Sequence, residues 1–492
     1  MENAQDKKER QITLFQSLIP VVILVAMLAV NVFVFRDDAL SGTNQFILII
    51  GGAIATVIGV YNNVSYDKIL KQVTHNIRDT SNAIFILLLV GALSGTWLLS
   101  GIIPSMIYYG LNILHPAIFL PACVIITSII SIATGSSWTT SATVGIALVG
   151  IGNALGMPLG VIGGAIVSGA YFGDKLSPLS DTTNLAPVMA GTDLFTHIKY
   201  MLYTTVPTYI VTLGLFVVLG LVYGTEGNID TAETLAAIAD TFHITPWLFI
   251  VPVVVILLII KKVQSIAALL IGVLLGAVFA LIFQPDIVVA VSGAETFNFY
   301  NAYKGVMLAL TTDIKIISPL ESLNALFEAG GMASMLNTVW LILCAMLFGG
   351  AMEAIGALQK ISQALLNIAN NIFGLFASTV ASCLAINVMT SDQYLSIVVP
   401  GKMFADAYKT KGLAPENLSR TLEDSGTVTS VLIPWNTCGA YHAGVLGIPT
   451  MTYLPYAFFN YLSPFVTLLY AALNFKIRKL ISADNKLISA DK

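Results

Sequence analysis

The chain has 492 residues, of which 56% are hydrophobic and only 10% charged, and its mean hydropathy is +0.84. Soluble domains carry about 25% charged residues, so this composition excludes a water-soluble enzyme and makes a bilayer the solvent. A net charge of −4 with dispersed basic residues gives no footprint for a nucleic-acid partner.

The opening MENAQDKKER is polar, with Lys7, Lys8 and Arg10, and precedes a long apolar run over 17–35 that has no small-residue cleavage site. This predicts an uncleaved first span. Apolar runs follow at 46–60, 83–99, 118–133, 206–223, 246–260, 266–283, 333–352 and 449–473. Several reach the roughly 20 residues of a spanning helix; the shorter ones, broken by Gly, Pro or Ser/Thr clusters, read as half-helices or re-entrant hairpins. The expectation is an all-α polytopic membrane protein of roughly ten to twelve membrane elements. Basic residues recur at Lys68, Lys71 and Arg78, at Lys261 and Lys262, and at Lys476, Arg478 and Lys479, whereas Glu226 to Asp240 is acidic. The positive-inside rule then puts both termini in the cytoplasm, with the acidic loop outside, in a cell inner membrane. Cys123, Cys344, Cys383 and Cys438 show no CxxC spacing, so neither a disulfide framework nor a zinc site is expected. The tail repeats KLISAD from Lys479 and from Lys486 and reads as a solvated end.

Two regions break the pattern of ordinary spans. ATGSSWTTSATVG (133–145) precedes SGAYFGDKLSPLSDTTNLAP (168–187), and INVMTSDQYLSIVVP (386–400) precedes LSRTLEDSGTVTSVLIPWNT (418–437). Pro158 with Pro415, Ser168 with Ser425 and Gly169 with Gly426 share an offset of 257, which suggests an internal duplication. The boundaries that follow are an N-terminal tail 1–16, a first repeat with N-terminal spans 17–245, a second repeat 246–475 and a tail 476–492. Broken helices of two such repeats meet near the bilayer midplane, where transporters hold their substrate.

In GAYFGDKLSPLSDTTNLAP, Gly169, Gly173 and Pro178 are expected to prevent a continuous helix. Asp174, Ser177, Ser180, Asp181, Thr182, Thr183 and Asn184 add oxygen ligands of the kind a hard cation such as sodium needs in place of its hydration shell. An acid or lysine at mid-membrane costs about 2.5 to 3.5 kcal/mol on insertion scales. The alternative is a loop outside the membrane whose carboxylates are simply solvated. Ser137, Thr139 and Thr140 read as the tip of a re-entrant hairpin, or as hydroxyls back-bonded in a plain helix; the matching MTSDQY adds Asp392. The second broken segment offers Glu423, Asp424, Ser425, Thr427, Thr429 and Asn436, although Glu423 and Asp424 could instead cap a helix. Asp174, Asp181 and Asp424 are the leading carboxylates for sodium and for the proton. Lys175 either pairs with a neighbouring acid or snorkels, and Glu353 is either a boundary residue or a proton carrier. His75, His115, His197, His243 and His442 lack metal-ligand spacing, and neither a Walker motif nor HExxH occurs. No cofactor is expected beyond the transported Na+ and H+. A hydrolase using a membrane serine with His442 or His115 lacks a nucleophile elbow.

GAYFGDKLSPLSDTTNLAP resembles the signature of the NhaC-type sodium/proton antiporter family, and the likeness extends from Ser17 to Phe475. The resemblance implies sodium/proton antiport by alternating access, with a malate/lactate-exchanging branch as the alternative. It further implies two inverted repeats, each with a re-entrant hairpin and a broken transmembrane helix, working as a homodimer. Ser137, Thr139 and Thr140 match the first hairpin tip; Asp174, Ser177, Asp181, Thr182 and Thr183 match the first broken helix. The tips read Ser-Trp-Thr and Ser-Asp-Gln where sodium carboxylate importers of the wider superfamily have Ser-Asn-Thr, which favours an acid-lined cation site. If the first hairpin opened from the cytoplasm, Lys402, Lys409 and Lys411 would fall outside, against the charge rule. Of the five arginines, Arg10, Arg36, Arg78, Arg420 and Arg478, only Arg420 lies near a broken segment, so a carboxylate pocket would rest on hydroxyls and helix N-termini.

Overall fold

The computed structural model describes residues 9–35, 42–224 and 231–480. Lys7, Lys8, Arg36, the start of the acidic stretch at Glu226 and most of the KLISAD repeat lie outside the described residues. In hydrocarbon a backbone must satisfy its own hydrogen bonds, and a helix does so within one segment. Eight described helices are long and apolar enough to cross a membrane: Leu14–Phe35, Thr43–Tyr61, Tyr66–Leu99, Pro116–Thr134, Leu194–Tyr223, Ser265–Phe283, Gly331–Ala354 and Ile372–Thr390. The pair Ala232–Thr241 and Pro246–Ile260, bent by 83°, gives a ninth if counted as one span, and Ile102–Ile113 and Phe458–Ala472 are shorter apolar helices. The protein is an all-α, multi-pass membrane protein. Tyr66–Leu99 packs on Leu336–Ala354 and Ser265–Phe283, and Thr43–Tyr61 packs on Leu336–Ala354.

The elements from Ile102 to Ala190 recur in the same order from Ala357 to Leu446. Pro116–Thr134 and Ile372–Thr390 have 19 residues each and begin 256 residues apart (116 against 372). At the same offset, Ser137 and Gln393 start the returning helices, Leu159 and Pro415 start the next pair, and Asp181 and Thr437 the last. The identities at 257 lie one residue from this offset, and two of them, at Ser425 and Gly426, fall within the π-helical turn Glu423–Thr427. Both helix–turn–helix tips reverse through one left-handed residue, Gly135 (φ 70) and Ser391 (φ 60). The next side chain then caps the returning helix: Ser136 Oγ accepts from Thr139 N at 3.2 Å and Asp392 Oδ1 from Leu395 N at 2.9 Å.

The first interrupted helix is Leu159–Leu176, then Ser177 to Ser180, then Asp181–Ala190. Gly169 and Gly173 do not break it, contrary to expectation; the break begins at Ser177. Their role is close approach to Pro116–Thr134: a Cβ on Gly169 would collide with the Val124 carbonyl and Thr127 Oγ1, and one on Gly173 would stand 2.5 Å from Ser128 O. Gly169→Ala is expected to lower stability by about 1–3 kcal/mol through overpacking, read as a fall in the thermal midpoint in detergent. The second interrupted helix runs Pro415–Leu422, continues through a π-helical turn at Glu423–Thr427 and the short turn Ser430–Leu432, and resumes as Thr437–Leu446.

The start of the first interrupted helix lies against Thr452 (Gly160) and Tyr456 (Gly164). The second starts beside the C-terminal segment, where Ala414 N donates to Arg478 O (3.0 Å) and Arg478 pairs with Glu416 (2.7 Å). Lys411 donates to Asn370 O at 3.0 Å, and Leu480 N to Gly412 O at 2.8 Å. The open end of the second helix–turn–helix, the Lys409 to Lys411 stretch and the C-terminal basic residues thus share one end of the molecule.

Candidate cation site

Both tips and the first break face one cavity of about 610 Å³, lined also by the middle of Tyr66–Leu99. Five carboxylates line it: Asp79, Asp174, Asp181, Glu353 and Asp392. His75 joins them, and no Lys or Arg is among the described lining residues. Asp174, on the last turn of Leu159–Leu176, is 8% exposed. Its Oδ2 accepts from the Ser137 backbone N–H (3.1 Å) and from Ser137 Oγ (2.7 Å). The carboxylate therefore ties the first tip to the first broken helix while its side reaches the cavity. Asp181 opens Asp181–Ala190, where the helix N-terminus favours negative charge, and is exposed to the cavity. Asp392 caps its helix with one oxygen. Thr139, Ser180 and Thr182 complete the predicted oxygen ligands on the wall.

Of the other predicted polar side chains, Ser177, Thr183, Asn184, Thr140 and Ser425 make local structural bonds. Ser177 Oγ donates to Ile132 O at 2.8 Å, fastening the break to the first hairpin arm. Thr183 Oγ1 donates to the Asp174 and Lys175 carbonyls (3.2 and 3.1 Å), and Asn184 Nδ2 to those of Pro178 and Ser180 (2.9 and 2.7 Å). These four bonds satisfy the carbonyls that a broken helix orphans. Thr140 Oγ1 is back-bonded to Ser136 O at 2.9 Å, as in an ordinary helix. Ser425 Oγ likewise bonds the Thr421 carbonyl.

Asp424 does not join the cavity. It pairs with Lys175, both side chains being fully buried, and accepts from Thr204 Oγ1 at 2.8 Å and from Thr467 Oγ1. Its carboxylate is thereby engaged away from the cavity wall, so the expected single sodium site of Asp174, Asp181 and Asp424 separates into an open acidic cavity and a buried ion pair. Among the described residues no three His, Cys, Asp or Glu side chains converge as metal ligands. Ser141 Oγ lies 2.9 Å from His442 Nδ1, but both are buried, neither lines the cavity and the imidazole Nε2 has no partner among the described residues. A serine–histidine nucleophile needs a third group to orient the base, and none is present among the described residues.

Sequence reasoning missed Asn76 and Asp79. Asn76 Nδ2 donates to Glu353 Oε2 at 3.2 Å, and Asp79 is paired by Arg78 and His75 at 3.4 Å each. The polar run THNIRDTSN (74–82) was the available signal, because it continues the same 34-residue helix as the apolar run after it. Thr204, within the helix Leu194–Tyr223, and Thr467, in the apolar run 449–473, carry no such signal.

Two interrupted helices and two capped tips around an acidic cavity, in a multi-pass membrane protein, define a secondary transporter. The profile of the Na+/H+ antiporter family matches residues 169–475. The Na(+)/H(+) antiporter NhaC of Alkalihalophilus pseudofirmus is 35% identical over 97% of this chain and 99% of its own. The malate-2H(+)/Na(+)-lactate antiporter of Bacillus subtilis is 38% identical over 94% of this chain and 95% of its own, and the arginine/ornithine antiporter ArcD of Halobacterium salinarum 34% over 95% and 94%. The chain belongs to the Na+/H+ antiporter family.

Proposed function

We propose that this protein exchanges sodium for protons by alternating access, with Asp174, Asp181 and Asp392 drawing the cation into the cavity. The observation that carries the reading is five carboxylates and no lysine or arginine along the described wall. A carboxylate about 4 Å from a unit charge is worth about 4 kcal/mol at an effective dielectric near 20, attractive for sodium and repulsive for an organic anion. Arg420, the one arginine near a broken segment, is buried, stacked 4.6 Å from the Tyr200 ring and absent from the cavity wall. The shared element order and the opposite ends at which the interrupted helices begin support inverted repeats at 17–245 and 246–475. The clustering of Lys411, Lys476, Arg478 and Lys479 at one end supports an inner-membrane orientation with the C-terminus cytoplasmic. On that orientation the second hairpin opens from the cytoplasm and the first from outside, so Lys402, Lys409 and Lys411 obey the charge rule. A homodimer remains part of the proposal through the family alone.

The malate/lactate reading is favoured by one observation, the 38% identity to a relative of that name. Proton movement in proteoliposomes separates the two. Sodium alone is expected to drive protons across the membrane, and adding malate or lactate is expected to leave the rate unchanged; flux that appears only with an organic acid overturns sodium/proton exchange in favour of the second reading.

A further inference from the structure

Glu423 stands apart from every carboxylate so far described. It lies on the π-helical turn Glu423–Thr427, has no exposed surface and is not part of the cavity wall. Neither of its carboxylate oxygens is in hydrogen-bond geometry with a described residue, and neither is Thr427 Oγ1 one turn on, although that hydroxyl is near enough to act on the carboxylate as a donor. π-helical turns insert one residue into a helix, often at functional positions, and this one sits where the second interrupted helix meets the buried Lys175–Asp424 pair. Leaving an unpaired carboxylate buried costs several kcal/mol, a cost that packing alone does not require. The charges that act on Glu423 are Lys175 and Asp174, from the first interrupted helix, and Asp424, next in sequence. The other packed helices bring buried Cys383 and Tyr408, while Lys402, Asp406, Lys409 and Asp181 are exposed.

We propose that Glu423 is the proton-binding group of the exchange, separate from the cation site at Asp174. The inference rests on the sodium/proton reading and deepens it. A proton is the one exchanged ion that fits an enclosed carboxylate without cavity or further ligands, whereas sodium needs several oxygens. Coupling follows from charge alone. With Asp174 anionic, repulsion keeps the proton on Glu423; the charge of sodium at Asp174 offsets that repulsion, so the proton leaves more readily. Linkage makes the effect reciprocal: a proton returning to Glu423 expels sodium. Each ion therefore weakens the other's binding, as antiport requires.

Glu423→Gln keeps the shape and removes the proton site. The expected result is loss of sodium-driven proton flux in proteoliposomes while tracer sodium–sodium exchange continues, which also reports that the variant is folded. Proton release on adding sodium to the detergent-solubilised protein in weak buffer, seen with a pH dye, is expected from the wild type and absent from Glu423→Gln. The inference is overturned if Glu423→Gln still carries protons at the wild-type rate, or if Glu423→Gln and Glu423→Asp both lose sodium–sodium exchange along with proton flux. Failure of the wild type itself to move protons with sodium would overturn the exchange reading instead, and is read before any variant.

Discussion

Asp174→Asn protein, reconstituted in proteoliposomes, moves neither tracer sodium nor protons on addition of sodium. Asparagine keeps an acceptor oxygen for the Ser137 N–H and hydroxyl, which in the native protein bond Asp174 Oδ2 at 3.1 and 2.7 Å, so the first tip stays fastened. What is lost is the charge. At an effective dielectric near 20 a carboxylate about 4 Å from a cation contributes about 4 kcal/mol, roughly a thousandfold in affinity at 1.4 kcal/mol per factor of ten. Ser137→Ala makes the converse change, removing one donor and leaving the charge. A hydrogen bond to a charged group is worth about 1.5–3 kcal/mol, so this variant is expected to transport with altered half-saturation for sodium but a measurable rate. If Asp174→Asn and Ser137→Ala were equally inactive, Asp174 would act only by holding the tip, and its place in the cation site would fall.

The fold class was legible because lipid leaves few backbone solutions, and apolar runs approaching 20 residues with so few charges match helical spans and not the shorter alternating strands of a barrel. The tips were legible because Gly135 and the Ser/Thr cluster after it break an apolar run, and Asp392 marks the equivalent turn. The break itself was misread. Gly169 and Gly173 look like helix breakers in isolation, yet a neighbouring helix that needs their missing Cβ atoms holds the helix through them. What sequence could not carry was which acids meet. Asp174 and Lys175 are adjacent, but successive helix residues point about 100° apart, so one reaches the cavity and the other is buried against Asp424, 249 residues on. Asp424 and Glu423 part in the same way. The former finds Lys175, Thr204 and Thr467, and the latter is in hydrogen-bond geometry with no described residue.

The Lys175–Asp424 pair gives the other large expected effect, on stability. Removing one partner of a buried pair leaves an uncompensated charge and costs about 3–5 kcal/mol, whereas replacing both by apolar groups of similar volume is often neutral or better. Asp424→Leu should be the worse single change, because among the described residues Lys175 then keeps no hydrogen-bond partner, only the face of the Phe459 ring, 5.7 Å from its Nζ, and the charge of Glu423. In Lys175→Met, Asp424 still accepts from the hydroxyls of Thr204 and Thr467, and each such bond offsets part of the cost. The double variant Lys175→Met/Asp424→Leu is expected to recover most of the lost thermal midpoint in detergent. Its transport then separates structure from coupling. Lys175 and Asp424 are two of the three charges acting on Glu423, and deleting both changes how tightly the proton is held there while Asp174 and the cavity are unaltered. The folded double variant should therefore exchange sodium for sodium and show a proton flux whose pH profile is displaced from the wild type; an unchanged profile would make the pair a structural clasp and nothing more.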